Sequence, residues 1–356
     1  MIVHKFGGTS LEDGVRIRAA AELVREAGTP TVVVVSAMAG VTDALQGLAD
    51  AARSGSPSPD APCDELARRH LAALGSLAEG GGAGDAAPGR GPDSAAGRAP
   101  SWTGGALTEA GSAGRTAGEA IEERIAGLRE ALAAVAPEGP EAPDPLGIHE
   151  VLAAGEDLSV ILMVRALSLL GIDAVGVDAR SVIRTDASSG AAVPRDQETW
   201  DLVRGRLGPL LQAGRTPVLQ GFVGATAEGR TTTLGRGGSD FTAAIVGAVL
   251  DAREVVIWTD VDGIFSADPR VADDARILPE MGYEEAVELA YFGAKVVHPA
   301  AAKHAVARDV TLRIRNALRP GAVGTRIRCD VREARGVAAV AYKRSVTLIS
   351  VRSLPL

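Results

Sequence analysis

Ile2-Val3-His4-Lys5-Phe6-Gly7-Gly8-Thr9-Ser10, read with Thr31-Val32-Val33-Val34-Val35-Ser36, decides the fold. The first stretch is a short strand, residues 2–6, that stops at two glycines. The second holds four consecutive valines, the pattern of a strand buried on both faces. Between them the sequence predicts a helix over about 12–27. After Ala37-Met38-Ala39-Gly40 another helix begins near Thr42. Strand, glycine loop and helix, then the same again, is the rhythm of a parallel α/β sheet.

Farther along, the rhythm breaks. Residues 79–118 hold 12 of the chain's 43 glycines, with prolines and serines and few large apolar residues. Such a segment buries too little surface to offset its ordering entropy and reads as a flexible, low-complexity insertion. Helix resumes with Ile121, Ile125, Leu128, Leu132 and Val135, one apolar stripe. Residues 137–145 are a proline-rich break. A helix over 148–170 follows, closed by Gly171. Strands are predicted at 174–177, 216–222, 254–258 and 311–314. Helices are predicted around Phe241 to Val249, over 283–291 and over 299–307. The tail carries two β-rich runs, 337–341 and 346–351.

Composition narrows the function. The chain has 356 residues, 46% of them apolar, enough for two domains or one large α/β domain with an appendage. A net charge of −8 with no lysine or arginine block argues against nucleic acid, which needs a basic footprint. No run approaches the ~18 apolar residues of a membrane span, and the N-terminus lacks the apolar stretch of a signal peptide. Cys63 and Cys329 are far apart and form no disulfide framework, which fits a reducing, cytoplasmic setting.

Three glycine-bearing loops follow predicted strands: Gly7-Gly8-Thr9-Ser10, residues 37–42, and Gly235-Arg236-Gly237-Gly238-Ser239-Asp240. Glycines let the backbone approach an anion, and helix N-termini aim N–H groups at it. In open parallel sheets ligands bind beyond the carboxyl ends of the strands, where all three loops are expected. Neither a Walker A loop nor GxGxxG is present. Lys5, Arg236, Asp240 and Lys295 sit beside these loops or another glycine. Phosphoryl transfer needs positive charge on the migrating group, and a carboxylate acceptor is already ionised and needs no base. Taken singly, each residue also has an ordinary reading. Lys5 reads as a surface lysine, Asp240 as a helix N-cap, Glu156 as a solvated helix residue and His298 as a helix-start residue. No histidine or cysteine cluster has metal-ligand spacing.

Together these blocks resemble the aspartate kinases (aspartokinases), of the amino-acid kinase fold. The resemblance runs through Lys5 to Ser10, Ser36 to Thr42, Gly155-Glu156-Asp157-Leu158-Ser159, Gln220-Gly221-Phe222 and Thr233 to Asp240. It continues through Trp258 to Phe265, Ala267 to Arg270 and Phe292 to Pro299. It implies a three-layer αβα sandwich around a mainly parallel sheet, with a catalytic domain over 1–330 interrupted at 79–118. Residues 331–356 would be the remnant or start of an ACT-like regulatory domain. It implies ATP and L-aspartate as substrates and 4-phospho-L-aspartate as product, with Mg²⁺ arriving on ATP and no protein ligand named. Lys5 and Lys295 would neutralise the phosphates, and Asp240 would orient the lysines. Gly7, Gly8 and Ser10 would wrap the phosphates. Arg236 would hold a substrate carboxylate and Glu156 the ammonium, with Thr42, Phe222 and Ser239 lining the pocket. Thr259, Asp260, Phe265 and Arg270 would surround the nucleotide.

Phe265 departs from the family, which commonly has tyrosine there, and so removes a hydroxyl beside the nucleotide. Typical members of the family carry two ACT domains, whereas this sequence ends at Leu356, after what resembles only the opening strands of the first. The resemblance then implies that feedback inhibition by lysine or threonine is absent and that a homodimer is weakened or built differently. A sequence cut from a longer protein, or a kinase of a specialised pathway, fits equally. Two other readings stay open: a kinase for the carboxylate of a different amino acid, and a non-catalytic amino-acid or nucleotide sensor.

Overall fold

A computed structural model describes residues 1–28, 30–55, 59–79, 101–103, 106–108, 116–135, 146–291, 299–331 and 337–342. In chain order the elements are β1 (Ile2–Phe6), α1 (Gly14–Ala27), β2 (Thr31–Val35), α2 (Val41–Arg53), α3 (Asp60–Glu79), β3 (Ser101–Thr103) and β4 (Ala106–Thr108). Then come α4 (Ala117–Val135), α5 (Gly147–Leu169), β5 (Ala174–Val177), α6 (Asp196–Gln212), β6 (Thr216–Gln220), β7 (Val223–Ala225) and β8 (Thr231–Thr233). The chain continues with α7 (Gly238–Val249), β9 (Glu254–Thr259), β10 (Glu280–Gly282), α8 (Tyr283–Tyr291), α9 (Pro299–Val306), β11 (Thr311–Asn316) and β12 (Thr325–Arg328).

Eight strands form one sheet in the order β10-β12-β11-β9-β1-β2-β6-β5, parallel at every pairing except β11 with β12. The valines of β2 show why helices cover both faces. Val33 and Val35 join a core with α1 to α5, while Val32 and Val34 join a second core with α6 and α7. A two-residue side-chain period makes one strand serve both layers, and the result is the expected three-layer sandwich. On β1 the same alternation sends Ile2 and Phe6 to the first core and Val3 to the second. His4, between Ile2 and Phe6, accepts a hydrogen bond on Nδ1 from Trp258 Nε1 (3.0 Å). Burial, with help from Arg315, lowers the His4 pKa to about 4, so the ring stays neutral.

Several elements differ from the sequence reading. Helices α3 and α6 and strands β7, β8, β10 and β12 were not expected. Helix α3 puts Cys63, Leu66, Ala73 and Leu77 into the first core and sits close against α1: a Cβ on Gly14 would lie 2.2 Å from the Ala73 carbonyl. Helix α6 carries Pro209 inside it. Within the segment read as a flexible insertion, β3 and β4 pair antiparallel, a local hairpin that needs no large core. In the tail, 337–342 form no strand, and the run 346–351 lies outside the described residues.

Candidate active site

The carboxyl ends of β1, β2, β6 and β9 meet at one edge, where the glycine loops gather. The loop Gly7 to Ser10 is drawn onto β9 by the Gly7 N–H and the Ser10 hydroxyl, both donated to the Trp258 carbonyl (3.1 and 3.3 Å). Gly8 packs under the second loop, and a Cβ there would meet the Ala37 carbonyl at 2.9 Å. The third loop reaches this edge differently from the expectation. It follows β8, which belongs to the separate β7–β8 hairpin rather than to the main sheet. The reversal out of β6 is made at Gly221-Phe222, where Phe222 takes φ +70. That conformation is rare for an aromatic side chain and marks a site held in place by its surroundings. Its surroundings are specific: the Phe222 N–H donates to Thr242 Oγ1 (3.1 Å) and the Leu234 N–H donates to the Phe222 carbonyl (2.8 Å).

Lys5 and Asp240 meet across this edge. Lys5 shares the side of β1 that carries Val3, toward α7, and Asp240 lies in the first turn of α7. Lys5 Nζ sits 2.8 Å from Asp240 Oδ1, and the two side chains are only 11% and 19% exposed. Lys5 is therefore not a surface lysine. Nor is Asp240 an N-cap. That position is Gly237, at φ +71, with no side-chain cap.

Two hollows meet at this pair, and a third adjoins one of them. A cavity of about 780 Å³ is lined by Lys5, Thr42, Glu156, Phe222, Arg236, Ser239 and Asp240, among others. A slot of about 90 Å³ is lined by Lys5 and Asp240 again, with Thr259, Val261 and Gly263. A cavity of about 640 Å³ shares Val261 and Gly263 with the slot and adds Asp260, Phe265 and Arg270. Every residue expected to hold the amino acid thus lines the first cavity. Of those expected at the nucleotide, Lys5 and Thr259 line the slot and Asp260, Phe265 and Arg270 the third hollow, whereas Gly7, Gly8 and Ser10 line neither, and Ser10 is buried with its hydroxyl on the Trp258 carbonyl. Gly7 lies beside Lys5, and a Cβ there would be 3.6 Å from Lys5 Nζ. Lys295 and His298 lie outside the described residues.

Glu156 sits mid-way along α5, 3% exposed, so the solvated-helix reading does not hold. Its Oε2 has no hydrogen-bond partner. Burial pushes its pKa up to about 8, and the adjacent Asp157 adds to this. Backbone N–H groups, including that of Ala37, and Arg180 pull the other way. Behind it lies a buried network that the sequence reading did not resolve. Asp157 accepts from Arg124 Nε (2.7 Å), both terminal nitrogens of Arg180 (3.2 and 3.1 Å) and Gln220 Nε2 (2.7 Å). His149 was also missed. It lines the first cavity, with Nδ1 2.9 Å from Thr233 Oγ1. It lies seven residues before Glu156, two helical turns along the same face, and that spacing was a usable signal.

A profile of the amino acid kinase family matches residues 1–316. The chain belongs to the amino acid kinase family. Within that family its relatives include lysine-sensitive aspartokinase 3 of Escherichia coli, 33% identical over 99% of this chain and 70% of that protein. The aspartokinase of Chlamydia trachomatis is 32% identical over 93% of this chain and 65% of that one. A chloroplastic bifunctional aspartokinase/homoserine dehydrogenase of Zea mays is 33% identical over 91% of this chain, which spans only 32% of it. The crystal structure of E. coli aspartokinase III in complex with aspartate and ADP superposes with a TM-score of 0.74 at 32% identity. That match covers 93% of this chain and 65% of the other. Among the described residues of this amino acid kinase, no helix is long and apolar enough to cross a membrane.

The packing of Gly221 gives a first test. A Cβ there would lie 2.6 Å from Ser239 Cα, a backbone atom that cannot swing away. Gly221→Ala is expected to displace Ser239 and the start of α7, at a cost of about 2 kcal/mol. Urea unfolding and thermal melts would register the loss, and an unchanged midpoint would refute the close contact.

Proposed function

We propose that this chain transfers the γ-phosphoryl group of ATP to the β-carboxylate of L-aspartate, giving ADP and 4-phospho-L-aspartate. The observation that carries this is the buried Lys5–Asp240 pair, which lines both a cavity that holds Thr42, Glu156, Arg236 and Ser239 and a small slot whose far residues border a second hollow sized for a nucleoside. The relatives named aspartokinases support the same reading. Glu156 would receive the substrate ammonium on its unpartnered oxygen. Arg236 would take the α-carboxylate, since a guanidinium fork matches a carboxylate. That leaves the β-carboxylate directed at Lys5, where the ammonium offsets charge on the migrating phosphoryl. The N-terminus of α7 adds N–H groups and a positive dipole at the same point. Among the described residues no group of three or more His, Cys, Asp or Glu could hold a metal. Mg²⁺ would be held mainly by phosphate and water oxygens and would supply charge neutralisation on the nucleotide. Hydroxamate trapping with ATP, Mg²⁺ and aspartate reports an acyl phosphate directly. Turnover with glutamate or cysteate but none with aspartate would replace the substrate assignment. No acyl phosphate from any acid would leave the sensor reading.

Glu156 makes the pH dependence specific. An amino acid carrying an ammonium group binds best when Glu156 is ionised, so kcat/KM for aspartate is expected to rise with pH up to about 8. Glu156→Gln should raise the KM for aspartate about 100-fold, ~2.7 kcal/mol, and flatten that limb. Stability moves the opposite way. A carboxyl whose folded pKa is raised stabilises the fold below its unfolded value near 4.5 and loses that stability as pH climbs to about 8. The Gln variant of the free protein should therefore be the more stable form at pH 8. An aspartate KM unchanged by the substitution would remove Glu156 from the site.

A further inference from the structure

The nucleotide cavity has a wall that does not come from the sheet edge. The described part of the tail, 337–342, runs back over the loop that follows β9, and the Val340 N–H donates to the Ser266 carbonyl (2.8 Å). From this anchor Val340, Ala341 and Tyr342 line the same 640 Å³ hollow as Asp260, Phe265 and Arg270. The volume lies within the ~300–1,000 Å³ typical of small-ligand pockets. On its other side Val337 and Ala338 border a separate hollow of about 310 Å³ together with Met281 of β10 and Glu285 of α8. The tail is thus clasped between α8 and the β9 loop. Tyr342 is 41% exposed, as expected for a ring at the mouth of a cavity. It lies close enough to Arg270 to act on it electrostatically. The Arg270 guanidinium is itself oriented by two bonds to the Asp268 carboxylate (3.0 and 2.7 Å). The other aromatic ring on this cavity, Phe265, has no polar atom.

We propose that Tyr342 is a nucleotide-specificity residue of this kinase: its ring closes the nucleoside end of the ATP site and its hydroxyl contacts the base or ribose. The proposal rests on the reading of this cavity as the nucleotide site. Aromatic faces hold bases by stacking, and a phenol adds a hydrogen-bonding tip. The Val340 anchor holds the ring in place, so losing that one backbone donor should act like losing the ring.

Binding of a fluorescent ADP analogue to the full chain, with steady-state kinetics in ATP and GTP, tests this. Tyr342→Ala is expected to weaken ADP binding about tenfold and raise the KM for ATP similarly. The KM for aspartate and kcat at saturating ATP should stay as in the parent. Tyr342→Phe should retain most of the affinity but lose part of the ATP-over-GTP preference, which a merely structural ring would not govern. Val340→Pro, which removes the N–H given to Ser266, should weaken ADP as Tyr342→Ala does. If the parent binds ADP and Tyr342→Ala binds it equally well, the assignment to the tail is wrong while the site stands. If the parent binds no adenine nucleotide, the reading of the cavity falls and the proposal with it.

Discussion

Lys5→Met is expected to lower kcat about a thousandfold while changing the dissociation constant for aspartate little. Removing one preorganised donor from a water-poor site costs ~10²–10³ in rate. Here the donor is also a full charge, which in the proposed reaction would face the phosphoryl group. The loss should be compounded by Asp240, which the substitution leaves as a carboxylate only 19% exposed with its cation gone and a phosphate chain approaching. Two variants separate chemistry from folding. Lys5→Met with Asp240→Asn removes both charges, so it should recover the stability lost by Lys5→Met alone without recovering turnover. Lys5→Arg keeps the charge, but a guanidinium is larger and forked, and the adjoining slot holds only about 90 Å³. It should remain at least a hundredfold slow. Burst kinetics under saturating ATP and aspartate measure each rate. A Lys5→Met enzyme turning over within tenfold of the parent would remove Lys5 from the reaction.

How much of this was legible in the residues follows from how each group earns its position. Lys5 and the glycines after it could be read because a strand that ends in glycine has few other uses, and β1 is where its pattern put it. The four valines of β2 announced burial on both faces, and both cores use them. Alone, Glu156 could not be read: a carboxylate in a helix is usually solvated, and only packing of α5 against α2 and the sheet makes it buried. Gly155 is the local reason, since a Cβ there would lie 2.7 Å from Ala37 Cβ and force the helix away. Arg124 and Arg180 were illegible for a different reason. Their partners lie on α5, on β8 and at Asp178, and no sequence spacing relates residue 124 to 157 or residue 180 to 157 and 231. The tail ring at Tyr342 belongs to the same class, since its segment is placed by the bond from the Val340 N–H to the Ser266 carbonyl.

Asp157→Ala is the second large effect expected, and it falls on stability. Asp157 is fully buried and binds two guanidiniums and the Gln220 amide. Burial by itself would raise its carboxyl; Arg180 and then Arg124 overcome that and hold it below the usual value. Its contribution is present above the unfolded pKa near 3.8 and is lost as pH falls through the lower folded value. Deleting one partner of a buried pair costs about 3–5 kcal/mol, a large share of the ~5–15 kcal/mol that holds a typical domain folded. The urea midpoint at pH 7 should drop accordingly, with a smaller drop at pH 3. Asp157→Asn should cost less. It keeps an acceptor for Gln220, and without the neighbouring charge Asp178, whose carboxyl burial raises, ionises more readily against Arg180. Apolar replacement of such pairs is often neutral or stabilising, so stability alone does not explain a charged cluster here. Asp157 fixes α5 against β6 at the residue next to Glu156, and that supplies the reason. Asp157→Leu with Arg124→Met should therefore regain much of the stability that Asp157→Ala loses, yet leave the KM for aspartate raised. A double variant with both parental stability and parental aspartate affinity would make the network dispensable for the site.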